Sequence, residues 1–175
     1  TPPTYTGEEL KLEKRMRDLF EASKEINGKK KTQARNQIET AMDWDDISLN
    51  GVGPARWKKL SADNKSEFSK LLRQVIIKTA YGRLDKFWDG ATYQFDKIEI
   101  KKNIGHVVAR FNVKDQSFTL DYYLRKNGNN WSVFDIAFDE NKYSENIHEQ
   151  IDAFLREHTF AKLIDKLKKR LADLG

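Results

Sequence analysis

The feature that most constrains this chain is a change of hydrophobic period near residue 90. Before it, apolar residues recur every three or four positions, as on one face of a helix. After it, through about residue 138, they alternate, as on a strand with one covered face. Beyond about residue 143 the helical spacing returns. Helices, then a run of strands, then helices predict an α+β fold: a twisted antiparallel sheet of about four strands wrapped by N- and C-terminal helices.

The helical part covers about 8–88 and 143–174, and the sheet about 92–139, within a single domain over 1–175. Residues 1–7 read as a loose tail. A first helix over 8–26 puts Leu12, Met16, Leu19, Phe20 and Ile26 on one stripe. A second covers about 32–43, with Ala34, Ile38, Ala41 and Met42 inward. The stretch from Met42 to Trp57 reads as irregular because Gly51, Gly53 and Pro54 punctuate it. Ser61 opens the longest helix, which runs to about Trp88. Its apolar positions fall on two stripes, so more than one side of it is expected to be covered.

In the sheet, the apolar phase slips at Asp96-Lys97, where a bulge is expected. Short links at Asp115-Gln116 and at Asn127-Gly128-Asn129-Asn130 predict hairpins. The fourth strand, 131–138, is apolar on both faces. Asp139-Glu140 is expected at a helix start, where negative charge is favoured.

Residue chemistry argues against catalysis. The chain has no cysteine, so thiol nucleophiles, disulfides and cysteine-bound zinc are excluded. His106, His148 and His158 show no i, i+4 pairing, and no metal site is expected. Asp43, Asp45 and Asp46 read as a solvated loop and helix end. Asp135, flanked by Val133, Phe134 and Ile136, and His106 are the candidates for a catalytic group. No phosphate loop or nucleophile elbow is present. The net charge of +5 comes from 32 Lys and Arg scattered among 27 Asp and Glu, which does not suggest a nucleic-acid partner. The basic run Lys166–Arg170 reads as the outer face of a packed amphipathic helix. What remains is an apolar surplus on the fourth strand and the long helix, which either thickens a core or lines a pocket suited to acyl chains.

Several segments resemble the MlaC (toluene-tolerance) family. Gly53 to Phe68 is similar to a family stretch in which Gly and Trp precede a capped helix ending in Phe. Thr79 to Leu84 resembles its Tyr-containing helix end. Leu120 to Arg125, followed by Trp131-Ser132-Val133-Phe134-Asp135-Ile136, is similar to its paired strands with a Trp-x-Val-x-Asp signature. Met42-Asp43-Trp44 stands where the family often has an aromatic–Asp–aromatic element, and Phe160 to Leu167 resembles its final helix. The resemblance spans about 38–171. It departs where the family commonly shows a Gly-Val-Ser turn, which here reads Glu140-Asn141-Lys142.

The resemblance implies a sheet-and-helix body similar to a nuclear-transport-factor-2-like cone. It also implies a monomeric, non-catalytic periplasmic carrier, its export signal removed ahead of Thr1 and with no cofactor beyond a bound phospholipid as cargo. Its partners would be an inner-membrane ABC transporter with an MCE-type protein and an outer-membrane lipoprotein complex. The acyl chains are then expected against Val107, Ala109, Phe111, Phe118, Leu120 and Tyr122 of the sheet. Phe134, Ile136 and Phe138 of the last strand would join them, with Val133 as the alternative to Phe134. From the long helix, Leu72, Val75, Ile76, Tyr81 and Leu84 are expected. Trp131 and Asp135 read as scaffold. A small-molecule enzyme on the same cone, an interaction module and a hopanoid or other isoprenoid carrier are the alternatives.

Overall fold

The computed structural model describes residues 3–175; of the expected loose tail over 1–7, Thr1 and Pro2 lie outside the described residues. The described residues form seven helices and five strands. Helices α1 (Gly7–Lys24), α2 (Lys31–Thr40), α3 (Trp44–Val52), α4 (Pro54–Lys59) and α5 (Ala62–Trp88) come first. Strands β1 (Ala91–Lys101), β2 (Ile104–Val113), β3 (Gln116–Asn127), β4 (Asn130–Phe138) and β5 (Asn141–Lys142) follow. Helices α6 (Tyr143–Leu155) and α7 (Phe160–Asp173) close the chain. The α+β class and the antiparallel meander are those the periodicity predicts, with β5 as an added edge strand in the order β1-β2-β3-β4-β5.

Local chemistry sets the element ends. Ser61 caps α5 by accepting from Asn64 N at 3.1 Å, and Thr159 caps α7 by accepting from Lys162 N at 3.3 Å. Glu8 and Glu9 in the first turn of α1 and Lys24 in its last turn complement the helix dipole. The first three hairpins turn on two residues, and the first of each has positive φ: Lys102, Lys114 and Gly128. Such turns match the right-handed twist of the strands they join.

Three expectations about the helices are corrected. The stretch after Met42 is helical rather than irregular: α3 and α4 occupy it, broken at Gly53, whose φ of 96° stops α3 before Pro54 starts α4. Helix α2 ends at Thr40 because Ala41 and Asp43 pair with β4 instead: Val133 N donates to Ala41 O and Asp43 N to Val133 O, both at 2.8 Å. Asp139-Glu140 does not begin a helix. Both residues have positive φ (52° and 66°), and they turn β4 into β5.

The chain divides into two compact units. Of the described residues, a sheet unit comprises 3–43 and 83–141, and a helical unit comprises 44–82 and 142–175. In the sheet unit α1 packs Leu12, Met16 and Phe20 onto one sheet face, against Val107, Phe111, Tyr122 and Leu124. Phe20 stands at the centre, its ring centroid 5.0 Å from Tyr93, 5.3 Å from Phe111 and 5.4 Å from Tyr122. In the helical unit Val52, Phe68, Leu71 and Leu72 form a separate core with Ile151, Leu163 and Ile164.

The sheet bulges twice. The expected slip in β1 falls between Phe95 and Lys97, and the extra residue, Asp96, receives the Arg110 guanidinium (Nε 2.8 Å, Nη2 2.7 Å). The second bulge was not legible in the sequence. Leu124 pairs with Val133 and Tyr123 with Asp135, so Phe134 has no partner in the ladder. Because of that bulge Val133 is buried among the inner-face residues, whereas Phe134 lies on the opposite face beside Tyr123 and Arg125. The expected placement of Phe134 with Tyr122 is corrected accordingly.

Candidate lipid-binding cleft

The helical unit contains a partly open cleft of about 620 Å³, walled by α5, α6 and α7. Its volume falls within the ~300–1,000 Å³ usual for small-molecule sites. Helix α5 contributes Leu72, Val75 and Ile76; Val75 and Ile76 lie three and four residues beyond Leu72, which brings all three to one side. Helix α6 contributes Ile147, Ile151 and Phe154, and α7 contributes Leu163 and Leu167. Leu72, Ile151 and Leu163 are buried and form the floor.

Polar groups are confined to the walls. Tyr143, Asn146, Glu149 and Gln150 come from α6, and Lys166 and Arg170 from α7. The Lys166 Nζ sits 4.7 Å from the Phe154 ring centroid, which keeps this cation beside the apolar lining. The basic run of α7 is therefore not only an outer face. Lys166 and Arg170 line the cleft, while Lys168 pairs with Glu67 at 3.2 Å.

Helix α6 is also held by residues outside the cleft lining. His148 Nδ1 lies 3.1 Å from the Gly51 carbonyl oxygen, and Arg56 pairs with Asp152. The Arg56 guanidinium, through its hydrogen bond, holds the Asp152 carboxyl below the usual carboxylate range.

The expected acyl-chain residues fall in different places. Leu72, Val75 and Ile76 are brought together in the cleft. Val107, Ala109, Phe111 and Tyr122 are buried in the core of the sheet unit, where burial pushes the Tyr122 hydroxyl's pKa well above its ordinary value. Phe118, Leu120 and Ile136 pack half-buried against that core, and Phe138 is 53% exposed, its ring 6.3 Å from Phe118. Tyr81 and Leu84 are half-buried on α5 and do not line the cleft. Sequence reasoning found the stripes of α6 and α7 but did not assign Ile147, Ile151, Phe154, Leu163 and Leu167 to a site. Their spacing is the same for a core stripe as for a cleft wall, so only the cations interleaved at 166 and 170 could have distinguished them.

The two residues considered for catalysis sit on the outer face of the sheet unit. His106 Nε2 meets Asp121 Oδ2 at 2.6 Å, and its ring stacks on Tyr123 at 4.8 Å. Asp135 Oδ1 accepts from Ile136 N at 2.9 Å. Among the described residues no group of three His, Cys, Asp or Glu could hold a metal ion, and no helix is long and apolar enough to cross a membrane.

Comparisons with known proteins agree with this architecture. A solved structure of a phospholipid-binding protein from Ralstonia solanacearum, in complex with a phospholipid, superposes with a TM-score of 0.76 at 18% sequence identity. The match covers 93% of this chain and 96% of that one. No curated protein matches the sequence. The sequence pattern of the family described as MlaC protein matches residues 11–169, nearly the whole length, and the chain belongs to the MlaC family.

Proposed function

We propose that the chain is a periplasmic carrier that holds phospholipid by its acyl chains and moves it between membranes. The observation that carries the reading is the α5–α6–α7 cleft: an apolar floor with charge only on its walls, in a chain of the MlaC family. Burying each methylene is worth about 0.8 kcal/mol, so a long chain on such a floor binds without a polar anchor. Leu72, Val75 and Ile76 are the residues of the expected set placed at the lipid in this reading. The phospholipid seen in the Ralstonia solanacearum protein supports the choice of cargo.

Binding rather than catalysis is proposed because the cleft brings no histidine, and Glu149 is the one acid among its lining residues. Exchange partners would be an inner-membrane ABC transporter with an MCE-type protein and an outer-membrane lipoprotein complex, met by a monomer.

The test is to purify the protein without detergent, extract it with organic solvent and identify bound lipid by mass spectrometry. Phospholipid near equal stoichiometry is expected. A hopanoid or other isoprenoid would replace the cargo, and a folded protein that is empty and takes no lipid from vesicles would overturn the reading. Movement between membranes is tested separately, by transfer of labelled phospholipid from donor to acceptor vesicles.

A further inference from the structure

We infer that Lys166 and Arg170 form a phosphate-binding wall that makes the cleft select phospholipids of net negative headgroup charge; this rests on the carrier reading above. The two residues are four apart on α7, so their Cβ atoms lie about 6 Å from each other on one helix face. That face also sends Leu163 and Leu167 into the cleft. Among the described residues neither cation has a carboxylate partner, whereas Lys168, between them in sequence, is held by Glu67. The Lys166 ammonium rests over the Phe154 ring instead, at the border of the apolar floor. The facing wall supplies one acid, Glu149, beside the neutral Asn146, Gln150 and Tyr143.

Two positive charges against one negative leave a surplus of one cation beside an apolar floor. A neutral ligand leaves that surplus to water and salt ions. A glycerophospholipid uses both features: its tail takes the floor, and its phosphate oxygens accept from the guanidinium fork and the ammonium. A headgroup of net charge −1 balances the wall. A zwitterionic headgroup adds an ammonium to a wall that already carries excess positive charge, with Glu149 as its single acidic partner.

The experiment incubates the full chain with vesicles of equal parts phosphatidylglycerol and phosphatidylethanolamine and measures the ratio of bound lipids by mass spectrometry. Lys166→Gln/Arg170→Gln is compared with Lys162→Gln/Lys169→Gln, which removes the same charge from α7 outside the cleft. All four side chains are exposed, so both variants are expected to melt like the parent. The parent is expected to enrich phosphatidylglycerol about fivefold, the cleft variant to lose the enrichment, and the control to keep it. Added salt should reduce the parent's enrichment. Equal uptake of both lipids by the parent, or the same enrichment in all three proteins, overturns the inference and leaves the carrier reading standing. No uptake of either lipid by the parent overturns both.

Discussion

The indole Nε1 of Trp88 donates to the hydroxyl of Ser23 at 2.7 Å, and that hydroxyl in turn donates to the Phe20 carbonyl at 2.6 Å. This two-step chain joins the end of α5 to α1 within the sheet unit and fixes Trp88 beside the Phe20 ring, 6.1 Å away. Ser23 is buried, so no solvent hydroxyl substitutes for it at low cost. Ser23→Ala is expected to lower stability by about 1–2 kcal/mol, because it strands the indole N–H. Urea denaturation checks this; an unchanged midpoint would show that water reaches the indole.

Gly105 is a packing requirement rather than a turn. A Cβ placed there would stand 2.5 Å from Leu12 Cδ2 and 3.2 Å from Trp131 Cζ3, and both of those side chains are buried. Gly105→Ala should cost about 1–3 kcal/mol through overpacking. Adding Leu12→Val should recover part of that loss, which a double-mutant cycle in thermal or urea unfolding would reveal.

Two apolar substitutions should separate the cleft from the core. Val75→Asp, at the half-buried cleft wall, is expected to change stability by no more than about 1 kcal/mol while removing bound lipid. Phe111→Ala removes a ring that meets Phe20, Phe87 and Phe118 at 5.3, 5.3 and 5.6 Å, and should cost about 3–5 kcal/mol. Lipid content by mass spectrometry, read beside unfolding curves, decides the matter. Full lipid in a folded Val75→Asp protein would refute the cleft assignment.

Alkaline pH should weaken the sheet unit through Tyr93. Burial, and then its hydrogen bond to Glu21 (2.8 Å), push the Tyr93 phenol up to about 12. The unfolded chain loses this proton near its ordinary value of 10.0, so the stabilisation is fully present below that pH and is lost as pH rises toward about 12. Ultraviolet titration of tyrosinate should find this late-titrating group. Glu21→Gln should bring it part of the way back down, leaving the burial contribution.

Much of the fold was legible because it follows from local rules. The switch of period near residue 90, the Ser61 cap, the hairpin at Gly128 and the slip at Asp96-Lys97 are each decided by neighbours within a few residues. The helices α3 and α4 were hidden by Gly51, Gly53 and Pro54, which read as loop signals. In the fold, Gly51 stands inside α3, and Gly53 and Pro54 mark the boundary between the two helices.

The sequence by itself determined the α+β order, the apolar stripes and the antiparallel meander, since hydrophobic period and turn chemistry act along the chain. Only the tertiary structure decided which apolar residues pack and which line a cleft. The sheet residues Val107, Ala109 and Phe111 are buried against α1, while Val75 and Ile76 border the space among α5, α6 and α7. It also decided that Phe134 turns outward: Val133 pairs with Leu124 and Asp135 with Tyr123, so Phe134 is the extra residue of a bulge that lets both Val133 and Ile136 face the core. The physical reason is common to both: a side chain's surroundings depend on elements distant in sequence, and a stripe of a given spacing is the same whether a helix, a strand or a ligand comes to cover it.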